Sequence, residues 1–107
     1  MLTIAESSRQ KFAVSFKDED YQPFVPATIR YRLDDKTDDI TTVVLDWQTV
    51  AIPDSRIEIL IPSSANAILN DRNAYETRVL TIQSDYGTDN QLSEDETYRI
   101  RNLGGFQ

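Results

Sequence analysis

Apolar and polar residues alternate with a period of two over most of this chain. Residues 11–17 set Phe12, Val14 and Phe16 against Ala13, Ser15 and Lys17, the pattern of a half-buried strand. Residues 28–33 repeat it, with Ile29, Tyr31 and Leu33 on one side and Arg30 and Arg32 on the other. Residues 56–61 repeat it again through Ile57, Ile59 and Ile61. Shorter strands are expected at 2–4 and 40–46, and a last one at 95–103 with Tyr98 and Ile100 facing in. The longest is expected within 74–87, where Tyr75, Val79, Leu80, Thr81 and Ile82 supply strand-forming side chains. A strand of that length belongs in the middle of a sheet, because an exposed edge so long invites aggregation.

Turn chemistry separates these runs. Asp18-Glu19-Asp20 and the two-proline segment 21–26 come after the first alternating run, and the sequence DDKTDD at 34–39 reads as a turn. Trp47, the only tryptophan, is expected to cover an edge of the core. Pro53-Asp54-Ser55 makes another turn. Pro62-Ser63-Ser64 leads into a short helical turn at 65–69 with Ser63 or Ser64 as its cap. The whole predicts one domain, residues 1–107, all-β, built as an immunoglobulin-like antiparallel sandwich of about seven strands.

The inward set is Phe12, Val14, Phe16, Ile29, Tyr31, Leu33, Val43, Leu45, Ile57, Ile59, Ile61, Leu80, Ile82, Tyr98 and Ile100. The long strand is ambiguous in facing, since Leu80 and Ile82 share parity with Glu76 and Arg78. Leu80 and Ile82 are assigned inside, with Glu76 and Arg78 near the exposed end of the strand. A slip of one residue would reverse the face.

Charge and composition narrow the chemistry. The chain has 11 basic and 18 acidic residues, a net of −7, so no overall field draws it to phosphates. It contains no His and no Cys, which removes the usual zinc, cysteine-nucleophile and Ser-His chemistries and leaves the fold to its core without disulfides. The first residues, MLTIAESSRQK, hold no apolar run long enough for a signal peptide or membrane span, so cytoplasmic synthesis is expected. No enzyme and no cofactor are expected, because a sandwich of this size offers little room for a cleft with paired carboxylates.

Three features are candidate sites. In an immunoglobulin-like order, the loops 18–26, 46–55 and 86–95 share one end. They gather Asp18, Glu19, Asp20, Asp46, Asp54, Asp85, Asp89, Glu94 and Asp95. Such a rim has the oxygen ligands calcium takes, but no loop has the spacing of a dedicated calcium loop. Solvated carboxylates are the plainer reading, and no metal site is assigned. The second feature is a face carrying Arg30, Arg32, Arg99 and Arg101 around Val79 and Thr81, suited to docking because guanidinium groups pair bidentately with carboxylates. No aromatic platform is expected among these arginines, which argues against nucleic acid. Pro23 and Phe24, in the proline loop, complete the expected interface. The third is edges and tails: residues 40–44 as a charge-poor edge open to a neighbour's strand, and Phe106 in the C-terminal tail.

The stretches ATIRYRLDD (27–35), VVLDW (43–47), RIEILIPSSANAIL (56–69), YETRVLTIQSDYGTDNQ (75–91) and YRIRNLGG (98–105) carry a resemblance. In order and spacing the chain resembles small immunoglobulin- or fibronectin-III-like structural proteins of tailed bacteriophages and prophages, from about residue 11 onward. The resemblance implies a non-enzymatic virion component, in capsid decoration, neck or tail. It would be present in many copies in a symmetric assembly, with capsid, portal or tail subunits as partners and neither nucleic acid nor membrane contacted directly. The alternatives are a calcium- or carbohydrate-binding adhesion module using the acidic end, Trp47 and Tyr21, and a small phage-encoded inhibitor of a host protein.

Overall fold

The computed structural model describes residues 1–104. Seven strands form two sheets: β1 (Leu2–Ala5), β2 (Gln10–Ser15), β3 (Ile29–Asp35), β4 (Thr42–Thr49), β5 (Arg56–Ile61), β6 (Tyr75–Ser84) and β7 (Leu92–Arg101). Among the described residues the only helical pieces are two 3-10 turns, Thr37–Asp39 and Ser63–Asn66. The larger sheet has the order β1-β7-β6-β3-β4, and β2 pairs with β5 in the smaller one. All neighbours are antiparallel except β1 and β7, which run parallel from Leu2 opposite Tyr98 to Ala5 opposite Arg101. The strands β3, β6 and β7 in one sheet and β2 and β5 in the other reproduce the sheet membership of an immunoglobulin-like sandwich, with β4 extending the first sheet.

The alternating runs explain the packing. Val14, Ile57, Ile59 and Ile61 of the small sheet, with Phe16 just after β2, meet Ile29, Leu33, Leu80, Ile82, Tyr98 and Ile100 of the large one in a single core. Phe12, Tyr31 and Leu45 are partly buried against it. The strand β6 is central, as its composition predicts, flanked by β7 over its whole length and by β3 over most of it. The phenol of Tyr98 is fully buried and donates to Asn66 Oδ1 at 2.7 Å, while Asn66 Nδ2 donates to the Ser8 carbonyl at 2.8 Å. Burial pushes the Tyr98 hydroxyl up to about 12, against the opposing charge of Arg78.

Five expectations need correction. Val43 is 52% exposed, and Val44 packs against the core in its place. The cause is a doubly irregular pairing of β3 with β4. Between Tyr31↔Gln48 and Leu33↔Leu45, and again between Leu33↔Leu45 and Asp34↔Val43, β4 spends one extra residue. Each such bulge reverses the parity of the residues beyond it. The same device turns Trp47 to the outer face rather than to the core edge. The helical turn lies at Ser63–Asn66, not at 65–69. Pro62 occupies its N-cap position and has no side-chain acceptor, so the turn has no side-chain cap, and Ser63 and Ser64 lie inside it. Asp34 and Asp35 belong to strand β3 and are buried at 1% and 5% exposure, so the turn is shorter than DDKTDD. Finally, Glu76 and Arg78 are not near an exposed end: they are 1% and 0% exposed, inside the molecule.

Candidate docking face

The register places Arg30, Arg32, Arg99 and Arg101 on the outer face of the large sheet, as their parity predicts. Arg30 stands opposite Gln83 and Arg32 opposite Thr81 on one flank of β6, and Arg99 stands opposite Thr77 on the other. Gln83 and Thr77 are six positions apart, so the two arginine pairs are separated by roughly 20 Å along the strand. They form two corners of the face rather than one patch. Val79, between them, is 7% exposed and fills the face instead of presenting itself, and Thr81 is half-buried.

Each corner is built from aromatic rings. The Arg30 guanidinium lies 4.0 Å from the Trp47 ring centre and 4.4 Å from that of Tyr86, and Arg30 Nε donates to Gln83 Oε1 at 2.8 Å. Arg32 also approaches Trp47, at 5.0 Å, and its Nε donates to Asp34 Oδ2 at 3.1 Å. At the far corner Arg99 lies 4.6 Å from the Tyr75 ring and donates weakly to Thr3 Oγ1 at 3.4 Å, while Arg101 is exposed. Cation–π contact of this kind holds a guanidinium flat and leaves its edge open to a carboxylate. The expectation that no aromatic is interleaved with the arginines is therefore overturned. Tyr75 shares the parity of Val79 and was findable from the sequence. Trp47 reaches this face only through the bulge in β4.

Pro23 and Phe24 sit apart from these corners. Phe24 packs edge-on against Phe16 with ring centres 6.3 Å apart, and so caps the core; Pro23 is exposed and bridges Lys17. The loops after β2, β4 and β6 share one end of the sandwich. Val50 N–H bonds the Ile29 carbonyl, Phe16 N–H bonds the Ser55 carbonyl, and Asp85 N–H bonds the Thr28 carbonyl. Three of their carboxylates accept backbone N–H groups: Asp18 and Asp54 within their own turns, from Asp20, Gln22 and Ser55, and Asp85 from Ala27 in the facing loop. Among the described residues no three carboxylates gather as a metal site. Phe106 lies outside the described residues.

Behind the arginine face lies an ionic cluster that sequence reasoning missed. Arg78 pairs with Asp35, and at 3.2 Å with Glu76; its Nη2 donates to the Ala67 carbonyl at 2.8 Å. Glu76 accepts the N–H groups of Leu69 and Asn70 at 2.8 and 3.0 Å and the Asn73 amide at 2.9 Å. Burial acts to raise the Glu76 pKa, but the bonds from Leu69, Asn73, Asn70 and Arg78 together outweigh it and hold the carboxyl below its ordinary value. The cluster fastens the loop between β5 and β6 to the sheet. The only sequence signal for it was the shared parity of Glu76 and Arg78 with Leu80 and Ile82.

No protein-family profile and no curated protein matches the chain. Among solved structures the chain is similar to the extracellular domain of the voltage-gated sodium channel β4 subunit, whose parallel homodimers are described as explaining its role in cell-cell adhesion. The match has 9% identity, covers 94% of this chain and 87% of that one, and has a TM-score of 0.46. The assignment of the fold rests on the strand order above.

Proposed function

We propose that this chain is a non-enzymatic structural module of a tailed-phage virion, a rigid brick present in many copies, whether in capsid decoration, neck or tail. The virion reading rests on the sequence resemblance. The mechanical reading is supported by a sandwich braced internally by the Asp35–Glu76–Arg78 cluster. The observation that carries the docking role is Arg30, its guanidinium stacked on Trp47 and Tyr86 with one nitrogen committed to Gln83. A pre-oriented guanidinium loses little side-chain entropy on meeting a neighbour's carboxylate. Arg99 on Tyr75 repeats the device at the other corner.

The test is the double variant Arg30→Glu/Arg99→Glu. It is expected to remain a folded protein with an unchanged circular dichroism spectrum and to be missing from purified particles when expressed during infection. Incorporation at the normal stoichiometry, read by mass spectrometry, would remove the docking role from this face. Absence of the natural chain from purified particles would remove the virion reading itself.

A further inference from the structure

The last strand, β7, is only half covered along its outer edge. Residues 98–101 pair with β1, but from Leu92 to Thr97 the described residues provide no strand on that side, while β6 pairs the other side throughout. Six consecutive residues therefore hold main-chain groups in extended form with half of them lacking a protein partner. This half is also uncovered on its inner face. Leu92, Glu94 and Glu96 share the parity of buried Tyr98 and Ile100, yet all three are exposed.

At the start of this edge the sandwich is open. Ser15 at the end of β2, Phe16 and Lys17 just after it, Phe24, Ile82 and Ser84, and Leu92 and Glu94 line a small cavity of about 50 Å³. It adjoins a cleft of about 600 Å³ between the loops after β2 and β6, and the two share Lys17, Phe24 and Leu92. Ser84, 2% exposed, lines this cavity, and its buried Oγ has no hydrogen-bond partner. A buried hydroxyl left unsatisfied keeps the desolvation penalty of its polar atom uncompensated, and a donor or acceptor arriving through the cleft would relieve it.

We propose that the Leu92–Thr97 edge of β7 receives an extended, basic peptide segment of a partner protein as an added strand, with one end of that segment seated over Ser84. Charge complementarity selects the occupant. Glu94, Asp95 and Glu96 lie on the edge itself, and Asp18, Glu19, Asp85 and Asp89 line the cleft beside it, with Lys17 as the only cation there. The same charges oppose a second copy of this chain, which would set carboxylate against carboxylate. Main-chain pairing gives such a segment its affinity, and alternate side chains give it specificity. The inference is independent of the arginine face and of the virion reading.

The experiment uses the full chain with a synthetic hexapeptide, Lys-Val-Arg-Thr-Lys-Val, monitored by amide chemical shifts and titration calorimetry. Saturable binding is expected, with shifts and slowed amide exchange concentrated at Leu92–Thr97 and at Ser84. Glu94→Lys/Glu96→Lys changes exposed side chains only, so its melting temperature should stay close to that of the parent, and it is expected to weaken binding at least about tenfold. A peptide with N-methylated backbone amides is expected to lose at least about tenfold as well, which charge attraction alone would not produce. Shifts confined to β4, equal affinity for the N-methylated peptide, a dimer of the chain paired through β7, or no binding would each overturn the proposal.

Discussion

Arg78 is the residue on which the interior depends most. It is fully buried and stands between two carboxylates that are themselves almost fully buried. Removing a cation from such a place leaves Asp35 and Glu76 charged and unpaired, which costs about 3–5 kcal/mol when a buried ion pair is broken. Arg78→Ala is therefore expected to lower the unfolding free energy by that amount in urea titration, while Arg72→Ala, an exposed control in the neighbouring loop, should change it by less than about 0.5 kcal/mol. Glu76 adds a pH dependence of definite sign. Its folded pKa is held below the ordinary glutamate value, so the unfolded chain takes up the proton at a higher pH than the folded one. The resulting stability is complete above about pH 4.5 and is lost as pH falls through the folded value. Unfolding free energies measured downward from about pH 6 should fall less steeply for Glu76→Gln than for the parent in this window. Equal slopes would mean that other carboxylates carry the acid sensitivity.

Strand β4 decides how far alternation can be trusted. A regular strand would bury Val43 with Leu45 and Trp47, and the bulges opposite β3 replace that order with Val44 and Leu45 inside and Val43 and Trp47 out. Val44→Ala is expected to cost about 1 kcal/mol and Val43→Ala less than about 0.5 kcal/mol; the reverse ranking in denaturant titration would restore regular alternation. The runs holding Phe12, Ile29, Ile57 and Ile100 were legible because nothing interrupts their period of two, and with the turns between them they specify the sandwich. The arginine face was legible for the same reason. What parity could not give was anything set by a non-local pairing. Neighbouring strand β3 imposes the bulges that aim Trp47, and the partners that make Glu76 and Arg78 tolerable inside come from Asp35 and the 67–73 loop. A charged pair read along one strand looks like a solvated end until its acceptors and donors from elsewhere are known.

For the molecule as a whole, charge is unevenly spread. Four of the eleven basic residues, Arg30, Arg32, Arg99 and Arg101, stand on the outer face of the large sheet, whereas Asp18, Glu19, Asp20, Asp54, Asp85 and Asp89 crowd the loop end. With a net charge of −7, folding compresses like charges, and self-repulsion opposes the compact state. Added salt shortens the Debye length from about 30 Å at 0.01 M to about 8 Å at 0.15 M, so the melting temperature is expected to rise across that range and then flatten. The double variant Glu19→Lys/Asp89→Lys replaces two exposed carboxylates lining the loop-end cleft and is expected to melt higher at low salt with a smaller salt response. Calcium chloride matched to sodium chloride in ionic strength should give the same midpoint if screening is the whole effect, since no three carboxylates gather as a metal site among the described residues. A further rise specific to calcium would instead signal binding to the folded state and favour an adhesion module. A midpoint that falls with salt would mean that the attractive pairs, among them Arg32 with Asp34 and Lys11 with Glu58, outweigh the crowding of acids at the loop end.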